Sequence, residues 1–264
     1  MDYVTANKAA WEEGFEKHQA GYRGDPVERL RQGEPFLAKA LCAALTELDV
    51  SGKAVAQFCC NSGRELLSVV RMGAAHGTGF DIAENFIEEG QRLAREADLS
   101  ADFVATDLHA VDPSYADRFD ILIITCGALT WFADLDPFFA NVALVLRPGG
   151  RLLISEKHPF TDMVAVPHEA AFDASCPERA AYSYFRKEPW VETDGVDYIG
   201  NTTYESLPLT SFGHSFGEII SAMARSGLAV DSLQEYEDDI CAGWSHLDGK
   251  GVPLSYLMHA THRS

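Results

Sequence analysis

The sequence predicts an α/β protein with an open, doubly wound, mostly parallel sheet, helices on both faces and an inserted cap. Three observations support this fold class. Short apolar runs alternate with helix-like segments between residues 54 and 156, most of these runs end in an acidic or small polar residue, and residues 121–125 (ILIIT) form an almost continuous apolar run. Strand–helix alternation is typical of open parallel sheets. A continuous apolar run is typical of a parallel strand covered on both faces.

Residues 54–82 form the first repeat of this pattern. An apolar run turns sharply through Asn61, Ser62 and Gly63, a helix-like segment follows, and a second apolar run ends at Asp81. This order predicts a βαβ unit. A dinucleotide-binding turn would read G-x-G-x-x-G, whereas this turn reads CCNSG. The unit therefore predicts an adenosine-type ligand and argues against NAD.

Composition narrows the possible partners and location. The chain has 264 residues, 47% of them hydrophobic, and a formal net charge of −19, which argues against binding to nucleic acid or to an anionic membrane surface. No apolar run reaches the roughly 20 residues that span a bilayer. The N-terminus is polar and lacks a hydrophobic signal region, so we expect a cytoplasmic protein. The oligomeric state is left open, and a homo-oligomer is possible.

The cysteines predict no metal site. The sequence contains six cysteines, with no C-x-x-C motif and no Cys/His cluster at zinc spacing. We expect all six to be small buried hydrophobic residues or strand-end thiols in a reducing compartment.

Residues 1–50 are predicted to form an N-terminal helical lid. Residues 1–22 have a helical pattern, and spacings of three and four place an aromatic set on one face: Trp11, Phe15, His18 and Tyr22. This face could simply pack on the core, or it could close over a bound ligand. A second helical segment is predicted within residues 26–49, with a regular leucine stripe.

The rest of the chain completes the core and adds a cap. Residues 51–157 are predicted to hold five strands and their helices, and residues 158–212, rich in aromatic residues and proline, are predicted to be an inserted substrate cap. Ser215 and Glu218 have the spacing of a capping box. With two closing strands near residues 229–236 and 255–261, residues 213–264 return to the core and bring the sheet to seven strands.

Candidate ligand residues lie where the predicted strands end. They are residues 59–63, Asp81, Asp107 and residues 125–127. Ligands of open α/β sheets bind beyond the carboxyl ends of the strands, at the point where the strand order reverses. We therefore expect these residues to converge on one crevice.

Five motifs resemble those of the class I S-adenosylmethionine-dependent methyltransferases, which have a Rossmann-like seven-stranded sheet. The motifs are AVAQFCCNSG, GFDI, ATDL, FDILIITCGALTWF and LRPGGRLLISE. The resemblance covers the core from about residue 53 to 156 and about the last fifty residues. Further features around His158 and His214 resemble a bacterial subfamily of small-molecule methyltransferases. The chain departs from the family at Gln57, where an acid is common, and at Cys59 and Asn61, where glycines are common.

The resemblance implies S-adenosylmethionine as cofactor and a role for each matching residue. Asp81 would bind the ribose and Ile82 the adenine ring, while Asp107 would accept from the adenine amino group beside Leu108. The methionine moiety and sulfonium would lie against Cys59, Asn61, Gly63, Thr125, Gly127 and Leu129. From its position after the glycine turn, Arg64 could pair with the cofactor carboxylate, and Tyr22 is a further candidate cofactor contact. Trp131, Tyr184 and Tyr204 are candidate substrate contacts.

Three hypotheses follow for the function. The first is methyl transfer to O, N or C of a small, aromatic or heterocyclic acceptor, because tryptophans and tyrosines could sandwich a flat ring. An acceptor that must lose a proton needs a base, and His158, His214 and His18 are the candidates. The second hypothesis is a nicotinamide-dependent oxidoreductase. The third is a catalytically inactive, cofactor-binding regulatory protein, suggested by the altered glycine turn.

Overall fold

The computed structural model describes residues 2–195 and 203–263, and these residues form two β-sheets. The strands are β1 (Ala54–Phe58), β2 (His76–Asp81), β3 (Ala101–Ala105), β4 (Phe119–Ile124), β5 (Leu146–Lys157), β6 (Trp190–Glu192), β7 (Leu209–Ser211), β8 (Leu228–Tyr236) and β9 (Ser255–His262). The α-helices are α1 (Tyr3–Gly21), α2 (Pro26–Gln32), α3 (Lys39–Leu48), α4 (Arg64–Arg71), α5 (Glu84–Ala97), α6 (Leu135–Val145) and α7 (Phe216–Arg225).

The main sheet has seven strands in the order β3-β2-β1-β4-β5-β9-β8. Strands β1 to β5 run parallel, and β9 lies antiparallel between β5 and β8. The order reverses between β1 and β4, so the crevice beyond their carboxyl ends is the place where such sheets bind ligands. The predicted Rossmann-like, mostly parallel seven-stranded sheet is confirmed.

Apolar side chains cover both faces of this sheet. One buried cluster joins Phe58 to Phe138 of α6, and the other joins Val55 to Leu45 of α3 and Leu66 of α4. Successive strand side chains point to opposite faces, so β1 supplies both clusters from alternating positions. Helix α5 buries Phe86, Ile87 and Leu93, as its sequence pattern predicts.

The N-terminal helix docks on both the core and the second sheet. The Asn7 side chain exchanges two 2.8 Å hydrogen bonds with the Thr210 backbone in β7. Trp11 packs edge-on against Phe86 and Trp131, with 5.7 Å between ring centroids in each pair. The aromatic face of α1 is therefore packed over the sheet end that carries the loop after β4.

Three sequence-based expectations differ from the structure. Residues 26–49 form two helices, because Gly33 ends α2 in a left-handed conformation and Pro35 follows. The LRPGG segment lies at the start of β5, where Leu146 pairs with Phe119. The expectation of six separate thiols does not hold for Cys126 and Cys241, whose sulfur atoms lie against each other across a Cα–Cα distance of 5.9 Å. Their sequence separation of 115 residues explains why no local pattern reveals the pair.

The capping box of α7 is confirmed. The Ser215 side chain accepts from the Glu218 backbone, and the Glu218 side chain accepts from the Ser215 backbone. The division into a lid, a core and a cap stays a prediction, and residues 196–202 of the proposed cap lie outside the described residues. Within the described ranges, no helix is both long and apolar enough to cross a bilayer.

Candidate active site

The turn after β1 keeps a glycine-like backbone although it has lost two glycines. Cys59 and Asn61 have φ angles of 51° and 52°, in the left-handed region, and Gly63 has a φ of 68°. Asparagine tolerates this region better than most residues, whereas a cysteine backbone is strained there. A side chain at Gly63 is impossible without rearrangement, since a Cβ there would lie 2.0 Å from the Phe103 ring.

Asp81 holds this turn from the end of β2. One carboxylate oxygen accepts from the Asn61 backbone N–H at 2.8 Å, and the other accepts from the Ala83 backbone N–H at 3.1 Å. Burial raises the pKa of Asp81, and the backbone hydrogen bonds oppose this rise. The acid predicted to bind ribose therefore lies against the turn, beside Ile82, which is half-buried.

A buried polar triad links β1, α4 and β4. The Glu65 carboxylate accepts from the Gln57 side-chain amide at 2.8 Å and from the Thr125 hydroxyl at 2.6 Å. The amide oxygen of Gln57 accepts from the Leu66 backbone N–H at 3.1 Å. Burial raises the pKa of Glu65, and the two side-chain hydrogen bonds lower it. The Glu65 carboxylate thus contacts the side chain of Gln57, the residue that stands where the resembling family commonly has an acid.

Arg64 is buried at the first position of α4 with only part of its donor set used. It is 5% exposed, its guanidinium carbon lies 3.4 Å from the Tyr22 ring centroid, and its Nη2 donates to the Gln19 side chain at 2.7 Å. Within the described part of the chain, its Nε and Nη1 find no acceptor. Burial lowers the pKa of Arg64. Orphaned donors on a buried cation favour an anionic ligand.

Asp107 follows β3 and pairs with a histidine. Its Oδ1 accepts from the His109 backbone N–H at 2.9 Å and lies 2.7 Å from the His109 Nδ1. Leu108 beside it is buried, which suits a residue expected to line an adenine ring. His109 was not among the sequence candidates, because a histidine four residues past a strand end has no distinctive pattern.

The loop after β4 is held by Glu156, another residue that the sequence did not single out. Its carboxylate accepts from the backbone N–H groups of Gly127 at 2.6 Å, Lys157 at 2.8 Å and Leu129 at 3.3 Å. Glu156 is 3% exposed, and burial raises its pKa while these backbone hydrogen bonds lower it. A Cβ at Gly127 would meet nothing within 4 Å, so this loop borders open space.

The three candidate bases differ in which ring nitrogen is engaged. His158 uses both nitrogens, since its Nδ1 accepts from the Phe160 backbone at 2.9 Å and its Nε2 lies 2.7 Å from the Glu235 carboxylate. The His214 Nε2 lies 2.8 Å from the Phe132 carbonyl oxygen. In the neutral ring Nε2 is therefore the donor, and Nδ1 carries the lone pair. Burial lowers the pKa of both histidines.

The third candidate, His18, is fully buried in α1. Its ring packs edge-on against Trp11, Phe86 and Tyr22. This aromatic surrounding favours a packing role for His18.

The predicted substrate contacts lie on two different parts of the molecule. Trp131 ends the short 3₁₀ turn after β4, next to Trp11. The Tyr184 hydroxyl accepts from the Phe216 backbone at 3.1 Å, and the Tyr204 ring lies 4.7 Å from the Lys17 ammonium nitrogen. The two tyrosines attach the segment after β5 to α7 and α1, so their contact with an acceptor stays a prediction.

Known proteins resemble this chain in sequence over part of the core and in fold over most of its length. Residues 55–150 match the family model described as "Methyltransferase domain". A methyltransferase from Mesorhizobium loti, described as S-adenosylmethionine-dependent, has a TM-score of 0.60 at 22% identity, and the match covers 85% of this chain and 98% of that one. Residues 55–150 of the core thus match a methyltransferase domain, and the strand order agrees with the fold of the S-adenosylmethionine-dependent methyltransferase from Mesorhizobium loti.

Curated relatives agree on the class and differ in what they methylate. The ribosomal protein L11 methyltransferase of Actinobacillus pleuropneumoniae is 29% identical over 163 residues, covering 60% of this chain and 50% of that protein. The demethylmenaquinone methyltransferase of Tropheryma whipplei is 29% identical over 182 residues, covering 62% of this chain and 72% of that protein. The chain thus spans about half the length of one relative and most of the other. Neither is a nicotinamide-dependent oxidoreductase.

Proposed function

We propose that this protein transfers the methyl group of S-adenosylmethionine to a small acceptor, an aromatic or heterocyclic metabolite. The observation that carries the cofactor assignment is Arg64, a buried cation with two orphaned donors beside the turn after β1. The methionine carboxylate is an anion of the right kind for this group. S-adenosylmethionine supplies an electrophilic methyl group on a sulfonium centre.

The remaining cofactor contacts follow from the strand ends. Asp81 and Asp107 offer carboxylate oxygens for the ribose and adenine, with Ile82 and Leu108 as apolar neighbours. On the methionine side, the turn through Cys59, Asn61 and Gly63 is held by Asp81 through the Asn61 backbone N–H. The Glu65 carboxylate, fixed by Gln57 and Thr125, supplies the negative charge that the family commonly places at the end of β1.

We assign the base to His214. Its Nε2 is directed to the Phe132 carbonyl, so the neutral ring presents Nδ1 as a proton acceptor. His158 lacks a free nitrogen in this arrangement. The Trp131 ring, packed on Trp11, would form one wall of the acceptor site. Flat acceptors gain from such aromatic contacts, and the demethylmenaquinone methyltransferase is by its name an enzyme for a cyclic small molecule.

The test is release of S-adenosylhomocysteine from a panel of small aromatic and heterocyclic metabolites, with ribosomal protein L11 as the macromolecular comparison. We expect turnover with at least one small acceptor and none with ribosomal protein L11. Turnover only with ribosomal protein L11 would reject a small acceptor. Cofactor binding without turnover on any acceptor would favour the inactive, regulatory alternative.

Three earlier expectations are retained as part of this proposal. They are a cytoplasmic location, no nucleic-acid or membrane partner, and a possible homo-oligomer.

A further inference from the structure

Two cysteines join the methyl-donor side of the crevice to a distant loop. Cys126 directly follows Thr125 after β4, and Cys241 lies in residues 237–254, the loop between β8 and β9. Their Cα atoms are 5.9 Å apart, a normal spacing for a disulfide. We propose that Cys126 and Cys241 form a reversible disulfide that closes the acceptor side of the crevice, and that its reduction opens this side.

The first end of the disulfide lies in the loop that borders the methyl donor. Cys126 stands between Thr125 and Gly127, whose assignment to the sulfonium rests on the proposed function. Glu156 already holds one side of this loop through the N–H groups of Gly127 and Leu129. The bond to Cys241 holds the other side, so the loop is fixed between a buried carboxylate and a covalent link.

The second end lies in a loop that is otherwise held by its own hydrogen bonds and by a small buried cluster. Asp239 accepts from the Cys241 backbone at 2.8 Å and from the Trp244 backbone at 2.6 Å. Leu247 packs in a small buried cluster with Val164 and Leu254, separate from the two main clusters. These contacts shape the loop internally and hold its far end, and the disulfide is its covalent attachment to the loop after β4.

Trp244 connects this loop to the acceptor side. Its ring lies 5.7 Å from the Lys157 ammonium nitrogen at the end of β5, and its indole N–H is buried with no acceptor in the described ranges. Lys157 is itself paired with Asp162. Because Trp244 follows Cys241 by three residues, release of Cys241 would loosen the packing of Trp244 against the end of β5.

The other cysteines are poorly placed to exchange with this bond. Cys59 and Cys60 are next to each other in the turn after β1, and burial raises the pKa of both thiols well above the ordinary value. A neutral thiol is a poor nucleophile in thiol–disulfide exchange. Cys42 and Cys176 are free and only partly buried, and they serve as internal controls.

The chemistry is a two-electron exchange with an external thiol. An external dithiol breaks the Cys126–Cys241 bond, each sulfur gains one proton, and the dithiol leaves as its own disulfide. A low-molecular-weight disulfide reverses the reaction and is reduced to two thiols. No other reactant is needed.

Zinc binding is the competing use of the same side chains. The two cysteine sulfurs and a Glu156 carboxylate oxygen lie within 4.8 Å of one another, a set that could ligate zinc when reduced. The 5.9 Å spacing of the two Cα atoms suits a disulfide, and the three backbone N–H groups that already donate to Glu156 make its carboxylate less available to a metal.

The experiment compares the full-length protein after treatment with dithiothreitol or with glutathione disulfide. Non-reducing peptide mapping should find the Cys126–Cys241 link only after oxidation. Trypsin should cut after Lys250, an exposed residue of the 237–254 loop, at least about fivefold faster in the reduced protein, because local opening controls cleavage. S-adenosylhomocysteine should bind about tenfold more tightly to the oxidised protein, because the loop after β4 is then preorganised.

Variants separate this bond from general thiol effects. Cys241→Ser should show the reduced cleavage rate and affinity under both treatments, whereas Cys42→Ser should respond as the wild type does. Equal Lys250 cleavage in both states, no Cys126–Cys241 peptide after oxidation, or stoichiometric zinc released by blocking these two thiols would overturn the proposal. If S-adenosylhomocysteine binds in neither state, the proposed function fails, and the peptide map and Lys250 cleavage still decide the disulfide.

Discussion

The Glu65 carboxylate lies 2.8 Å from the side-chain amide nitrogen of Gln57, eight residues earlier in the chain. Gln57 lies one residue before the end of β1, where the methyltransferases that the sequence resembles commonly have an acid. An acidic side chain is therefore present at this place in the structure, but it comes from the first turn of α4. The Thr125 hydroxyl, 2.6 Å from the same carboxylate, connects this side chain to the loop after β4.

Variants that exchange the Gln57 and Glu65 side chains test whether Glu65 compensates for the acid that position 57 lacks. Gln57→Glu places two carboxylates in contact in a buried site and should lower the free energy of unfolding by about 3 kcal/mol at pH 7. The loss should shrink toward pH 5, because one of two neighbouring carboxylates then keeps its proton. The double variant Gln57→Glu/Glu65→Gln should recover most of the stability. Urea unfolding measures all three proteins. A double variant no more stable than Gln57→Glu would show that the pair is not exchangeable.

Arg64 should contribute to cofactor affinity through charge. Arg64→Gln removes the buried cation and should weaken S-adenosylhomocysteine binding about 10- to 100-fold, as expected for a lost charge-assisted hydrogen bond. Arg71→Gln, at the other end of α4 and directed to the Ala97 carbonyl, is the matched control. Calorimetry gives both affinities, and equal losses in the two variants would argue against a carboxylate contact at Arg64.

His214 should set the acidic limb of the pH–rate profile. The neutral ring is the active form, so turnover should rise with pH through the His214 pKa and then level off. Since burial lowers that pKa from 6.5, the midpoint should lie below 6.5. His214→Asn should cut turnover by about 10², remove this limb and leave S-adenosylhomocysteine binding intact. Steady-state rates between pH 5 and 9 test this, and an unchanged profile would exclude His214 as the base.

His158 should affect stability more than turnover. Its Nδ1 accepts from the Phe160 backbone at the start of a 3₁₀ turn, so His158→Ala should cost about 1–2 kcal/mol of unfolding free energy. His158→Asn, whose side chain can also accept from this N–H, should recover part of the loss. Turnover of the folded variants should stay within about threefold of the wild type. A much larger fall in turnover, with stability retained, would instead identify His158 as the base.

Gly63 should tolerate no side chain. Gly63→Ala adds a Cβ 2.0 Å from the Phe103 ring in a left-handed backbone, which should cost about 2–4 kcal/mol from strain and overpacking together. Gly52→Ala is the control, because Gly52 has a φ of +71° and no atom within 4 Å of its Cβ position. It should cost only about 1–2 kcal/mol. Thermal and urea unfolding of both variants separate the cost of the clash with Phe103 from the cost of the left-handed backbone. Equal losses of unfolding free energy would mean that Phe103 moves aside freely.

Much of the fold follows from local patterns. The apolar runs place β1 to β5 within a few residues, and the Ser215–Glu218 spacing predicts the start of α7, because strand burial and helix capping act over short stretches of chain. The position of Asp81 at the end of β2 follows in the same way. Several strand-end candidates could be named from sequence because parallel strands bring their carboxyl ends to one edge.

The side-chain contacts of the site depend on which loops and helices meet in the folded chain. Glu65 compensates for Gln57 only because α4 begins against β1, and Cys126 reaches Cys241 only because the β8–β9 loop folds toward β4. His158 looked as available as His214 in the sequence, yet Glu235 lies on its Nε2 from 77 residues away. Sequence alone therefore determined the class of sheet and its ligand edge. Tertiary structure decided which charges, histidine nitrogens and sulfurs are engaged, because these contacts join residues that no local pattern relates.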